Sequence, residues 1–242
     1  MRSFLARSGP AQVTASYGKR YALVQAFRRA VFVAVFGALA IVAASVTVGR
    51  AADRPVRIVM LGDSITAGLG LAAQDALPAR LEKALKAKGL AVAIESAGVS
   101  GDTSAGGLAR LDWSVGEGID AVILELGAND ALRGLDPRQT QKNLAAIITR
   151  LTERKIAVLL TGMLAPRNLG PDYAKSFDPI YPALAAAHDV VFYPFILDGV
   201  AADAALNQGD GIHPNRPGVD IIVARLVPKV EELVGRVRAT RH

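Results

Sequence analysis

From residue 55 onward, apolar and polar positions follow two periods that alternate along the chain. Short continuous apolar runs occur at Arg57–Leu61, Ala91–Ile94, Ala121–Leu126, Ile156–Met163 and Val190–Ile196. Between them lie stretches with apolar residues at helical spacing. Leu77, Leu81 and Leu85 recur every four residues within Pro78–Lys88, which opens on proline and is closed by Gly89. Leu144, Ile147, Ile148 and Leu151 share one side of Pro137–Glu153, and further helices are expected at Ser104–Leu111, Asp172–Ala187 and Pro217–Val237. The run Ala121–Leu126 carries almost no polar residue, as a strand buried on both faces of a parallel sheet requires. Alternating strands and helices predict an α/β fold with helices on both faces of a parallel sheet. Nothing past residue 52 suggests a repeat or a linker, so one domain is expected over residues 53–242.

Residues 1–52 follow a different pattern. They carry seven Lys/Arg and no Asp/Glu; six of the seven precede an uncharged run, Ala30 to Gly49, which small residues follow at Ala51 and Ala52. A basic flank, an apolar stretch and small residues form a secretory leader, cut after Ala51 or Ala52, which would deliver the domain to the periplasm. The run also approaches the ~20 residues that span a bilayer, so an uncleaved anchor facing the periplasm stays open as the second reading. Charge then changes the picture. The net charge of +6 belongs to the leader, and the rest of the chain holds 21 basic against 22 acidic residues. That balance gives no electrostatic basis for binding nucleic acid, and membrane contact is expected only through an uncleaved leader. With no cysteine there is no disulfide, thiolate metal site or cysteine nucleophile.

Four short blocks follow strand ends or sit in a late loop: Gly62-Asp63-Ser64-Ile65-Thr66-Ala67-Gly68, Ser100-Gly101-Asp102-Thr103-Ser104, Gly127-Ala128-Asn129-Asp130 and Asp210-Gly211-Ile212-His213-Pro214. They supply a hydroxyl, an imidazole with a carboxylate three residues before it, a loop glycine amide and a carboxamide. These are the parts needed for acyl transfer through serine. Ser64 is the candidate nucleophile, although Ser and Asp at such a turn also serve as plain helix caps. His213 is the candidate base and Asp210 its orienting partner. His188 and His242 are expected to face solvent. Ser64 N–H, Gly101 N–H and the Asn129 side chain are the candidate oxyanion donors. Asp63, Asp102 and Asp130 read as carboxylates bonding loop amides. Leu132, Arg133, Met163 and Leu164 follow strand ends and are expected to border an apolar acyl site. Trp113 and Tyr181 read as packing residues. No His/Asp/Glu cluster has metal-ligand spacing, and Gly68–Gly70 lacks a dinucleotide fingerprint, so neither metal nor cofactor is expected.

The four blocks, in this order, resemble those of the SGNH (GDSL-type) hydrolases. The surrounding stretches Val99–Leu111, Glu125–Gly134 and Gly209–Arg216 are similar to the bacterial acyl-CoA thioesterase I, lysophospholipase and arylesterase branch, and the resemblance runs from about Arg57 to about Leu233. One departure is Ser96, where the family pattern often has asparagine. The resemblance implies a three-layer α/β/α, flavodoxin-like five-stranded parallel sheet with ligands at the carboxyl ends of its strands. It implies a serine esterase or thioesterase that cleaves a small-molecule acyl ester or thioester without a cofactor. A carbohydrate O-deacetylase using the same residues is the alternative enzyme, and a non-catalytic flavodoxin-like binding module the alternative of another class.

Overall fold

The computed structural model describes residues 54–241. The expected leader, residues 1–52, and His242 lie outside the described residues. Five parallel strands form one sheet: β1 (Val56–Gly62), β2 (Val92–Gly98), β3 (Ala121–Glu125), β4 (Ala157–Thr161) and β5 (Val191–Tyr193). Their order, β2-β1-β3-β4-β5, is the flavodoxin-like order. Among the described residues nine α-helices accompany the strands: α1 (Ser64–Ala67), α2 (Leu77–Ala87), α3 (Ser104–Ala109), α4 (Leu111–Ser114), α5 (Ala128–Leu132), α6 (Pro137–Glu153), α7 (Pro171–Phe177), α8 (Ile180–His188) and α9 (Arg216–Thr240). Helices α2 and α9 pack together over one face of the sheet, and α3, α6 and α8 cover the other.

The core follows the apolar pattern. Leu77, Leu81 and Leu85 of α2 are fully buried, as are Leu144, Ile147, Ile148 and Leu151 of α6. Each such side chain contributes roughly 1.5–3 kcal/mol on burial. All five residues of β3 are buried, as its central place in the sheet demands.

Four elements differ from their expected bounds, each for a local reason. Strand β2 runs to Gly98, beyond the apolar stretch, because it is an edge strand whose Glu95 and Ser96 face solvent. The expected helix Asp172–Ala187 is two helices. Pro179 has no N–H to continue α7, and the Asp178 carboxylate accepts from Ala165 N–H at 2.8 Å. The expected helix Ser104–Leu111 ends at Ala109, and α4 begins after Arg110. Strand β5 stops at Tyr193 because Pro194 cannot donate to the ladder. Trp113 is not a packing residue. It is 86% exposed, since the one-turn helix α4 buries Leu111 and turns the position two residues later outward. Tyr181 is buried and meets Phe177 edge-on at 5.8 Å. His188 ends α8 and is half-buried rather than solvent-facing.

Register brings the strand ends together. Gly62 sits opposite Gly98 on one side and Glu125 on the other, so β1, β2 and β3 end level with one another. The loops carrying the first three blocks therefore leave one edge of the sheet. Strands β1 and β3 flank the point where the strand order reverses, the ligand crevice of this architecture.

Candidate active site

Ser64 is the first residue of α1, and Asp63 is the cap: its Oδ1 accepts from Ile65 N–H at 3.0 Å. This leaves the Ser64 hydroxyl without a capping task. Ser64 Oγ lies 2.8 Å from His213 Nε2, and His213 Nδ1 lies 2.7 Å from Asp210 Oδ2. Three residues from opposite ends of the domain thus form one hydrogen-bonded row. Asp210 also accepts from the backbone N–H of His213 and of Ile212. Those two amides, with the imidazole, hold the Asp210 carboxyl below the usual carboxylate range although it is exposed. An ionised Asp210 can only accept, so the proton of neutral His213 sits on Nδ1 and Nε2 faces the hydroxyl as acceptor.

Gly101 and Asn129 reach the same place from the other two loops. Asp102 N–H bonds Val99 O at 3.0 Å, closing a four-residue turn whose third residue is Gly101. Gly101 has φ +81°, the left-handed region that glycine enters without strain. The Asn129 amide donates to Asp102 O at 2.9 Å and to Asp63 Oδ2 at 3.2 Å, joining the first three loops. Asp130 accepts from Ser104 N–H at 2.7 Å and Thr140 Oγ1 at 3.1 Å. The Asp102 carboxylate does not hold a loop amide; it pairs with Arg110 at 2.7 Å. Ser96, in place of the expected asparagine, donates from Oγ to Thr66 O at 3.3 Å.

A cavity of about 1210 Å³ is lined by Ser64, Gly101, Asn129 and His213. Leu132, Met163 and Leu164 also line it, and Leu132 and Leu164 are about half exposed there. Arg133 is not among the lining residues, and its guanidinium donates instead to Gly101 O at 2.7 Å. The reason is reach: a long side chain after α5 meets the neighbouring loop before it meets the cavity.

Five residues of this region receive no role from a reading of the sequence. Arg110 bonds Asp102, Ala97 O and Gly62 O at 2.7–2.9 Å, tying the ends of β1 and β2 to the second block. Thr66 and Glu125 meet at 2.8 Å behind the serine turn. Only Glu125 left a trace, as a lone acid in an otherwise apolar strand. Burial pushes Asp63 up to about 6, with the hydrogen bond from Ile65 N–H and the nearby His213 opposing that shift. Phe195 and Leu197, beyond β5, add apolar lining that no motif announced.

Known proteins share both the sequence and the architecture. The model of the GDSL-like lipase/acylhydrolase family matches residues 60–221. Esterase TesA of Pseudomonas aeruginosa is 39% identical over 178 residues, covering 73% of this chain and 89% of that protein. Thioesterase 1/protease 1/lysophospholipase L1 of Escherichia coli is 36% identical over 178 residues, 73% of this chain and 84% of that one. The crystal structure of TesA superposes with a TM-score of 0.70 at 39% identity, covering 73% of this chain and 99% of the other. A family match across two thirds of the length, on a shared fold, shows that the chain belongs to the GDSL-like lipase/acylhydrolase family of ester hydrolases.

Proposed function

We propose that this chain hydrolyses small-molecule acyl esters or thioesters through an acyl-serine intermediate on Ser64. The observation that carries the reading is the row Ser64 Oγ–His213 Nε2–Asp210, with contacts of 2.8 and 2.7 Å. His213 Nε2 takes the hydroxyl proton as Oγ bonds to the carbonyl carbon, and Asp210 stabilises the imidazolium that forms. The carbonyl oxygen becomes an oxyanion within reach of Ser64 N–H, Gly101 N–H and the Asn129 amide. Collapse breaks the bond to the alcohol or thiol, which leaves with the proton from His213. Water then adds by the same steps in reverse order, releasing the acid and restoring Ser64. The apolar lining supports an acyl chain as the group held in the cavity, with Leu132, Met163 and Leu164 against it.

Residues 1–52 act, in this reading, as a leader that exports the domain of residues 53–242 to the periplasm. The basic flank and the Ala30–Gly49 run support this, and an uncleaved anchor facing the periplasm is the alternative. Among the described residues, no helix is long and apolar enough to cross a membrane.

A fluorophosphonate probe tests the nucleophile directly. Wild type should be labelled and Ser64→Ala should not, with turnover of an aryl ester falling on the order of 10⁶-fold while the fold persists. Labelling of Ser64→Ala at an equal rate, or retention of more than a few per cent of turnover, would sink the assignment.

A further inference from the structure

Glu125 is a fully buried acid in the central strand, directly behind the nucleophile turn. Its Oε2 accepts from Asp63 N–H at 3.2 Å and from Thr66 Oγ1 at 2.8 Å, one residue before and two after Ser64. Its Oε1, equally buried, has no hydrogen-bond partner, as donor or as acceptor. Among the described residues no cation pairs with it. A lone carboxylate so placed would be very costly, and such a group keeps its proton instead. Gly62 fits the same arrangement, because a Cβ there would overlap Thr66 Oγ1 and Glu125 Oε2.

The neighbour that decides the role of Glu125 is Asp63. Burial, then the charge of Asp63, push the Glu125 carboxyl well above its ordinary range. The contact between them that the structure holds is the backbone one, Asp63 N–H to Glu125 Oε2. Complete burial with no paired cation keeps the proton on Glu125, and the two bonds that Oε2 accepts leave the unpartnered Oε1 to carry it. Asp63 remains the acceptor for Ile65 N–H and for the Asn129 amide.

We propose that Glu125 is a positioning residue of the hydrolytic site: as a neutral carboxylic acid it holds Asp63 N–H and Thr66 on either side of the nucleophile, and so fixes the serine turn and Ser64 N–H toward the reacting carbonyl. The proposal rests on the role given above to Ser64. Glu125 touches no substrate in this scheme; it acts through the turn, which it holds at Asp63 N–H and Thr66 Oγ1. A displacement of about 1 Å at such donors costs on the order of 10² in rate.

The test compares Glu125→Gln with Glu125→Met, using 4-nitrophenyl butyrate turnover and fluorophosphonate labelling. Glutamine can still accept from Asp63 N–H and Thr66 through its amide oxygen and is neutral like the protonated acid, so kcat should stay within about threefold of wild type. Methionine fills the space and makes none of these bonds. Its kcat should fall roughly 10–100-fold with KM nearly unchanged, and its labelling rate should fall in parallel. The infrared spectrum of wild type at neutral pH should show a protonated-carboxyl C=O band that Glu125→Gln lacks. Full turnover in Glu125→Met, a Glu125→Gln variant as impaired as Glu125→Met, or a wild type without that band would each overturn the proposal. Should Glu125→Met not fold, the glutamine variant and the infrared band still decide. A wild type that turns over but never labels at Ser64 would instead overturn the nucleophile reading.

Discussion

Asn129 donates both of its amide hydrogens before any substrate is present, to Asp102 O at 2.9 Å and to Asp63 Oδ2 at 3.2 Å. The shorter bond fixes the side chain to the second loop. The longer one is the hydrogen an oxyanion can share, since a negatively charged oxygen competes with the Asp63 carboxylate for it where a neutral carbonyl does not. Binding of a neutral carbonyl gains little from that exchange, whereas the tetrahedral intermediate gains much. Asn129→Ala should therefore lower kcat roughly 10²–10³-fold with a smaller change in KM. Steady-state kinetics on an aryl ester decide the matter: a raised KM with unchanged kcat would make Asn129 a ground-state binding residue.

Between elements, Asp120 fastens the start of β1 to the end of α9, away from the catalytic loops. Its carboxylate accepts from Arg57 N–H at 2.8 Å and pairs with Arg54 and Arg241 at 2.6 and 2.7 Å. Desolvation alone would raise this carboxyl, but Arg54, the Arg57 amide and Arg241 outweigh it and hold it below 3.8. A depressed native pKa means the unfolded chain binds more protons, so this stabilisation is present above the unfolded value and is lost as pH falls through the native one. Asp120→Asn should lower unfolding free energy at pH 7 by roughly 1.5–3 kcal/mol, and the gap to wild type should close in acid. Urea titrations at pH 7 and below pH 4 measure both. A gap that is constant with pH would show that the charge of Asp120 is not what stabilises. Such knots also mark where the sequence stops being readable. The strands and helices declared themselves because Leu77, Leu81 and Leu85, or Ala121–Leu126, carry their burial in local periodicity. The four blocks were legible because each packs its chemistry into a few consecutive loop residues. Arg110 and Glu125 were not, since their partners come from other loops, as with Asp63 N–H, 62 positions from Glu125. The break at Pro179 and the outward turn of Trp113 depend on which neighbour a short helix meets. No period records that.

For the whole molecule, charge and chemistry separate cleanly along the chain. Every residue assigned to the site lies between Asp63 and His213, whereas the seven positive charges before Ala51 and the uncharged Ala30–Gly49 run lie ahead of the domain. The remainder, 21 basic against 22 acidic residues, has no net attraction to an anionic lipid surface. Expressed in a bacterium, the protein should be cut after Ala51 or Ala52, and its mature form, starting at Ala52 or Asp53, should be recovered from the periplasmic fraction. N-terminal sequencing after fractionation reads this directly. A full-length N-terminus in the membrane fraction would favour the anchor, because a run near 20 residues suffices to span the bilayer. A full-length chain in the cytoplasmic fraction would refute leader and anchor alike, while leaving the serine chemistry to be judged by its own tests.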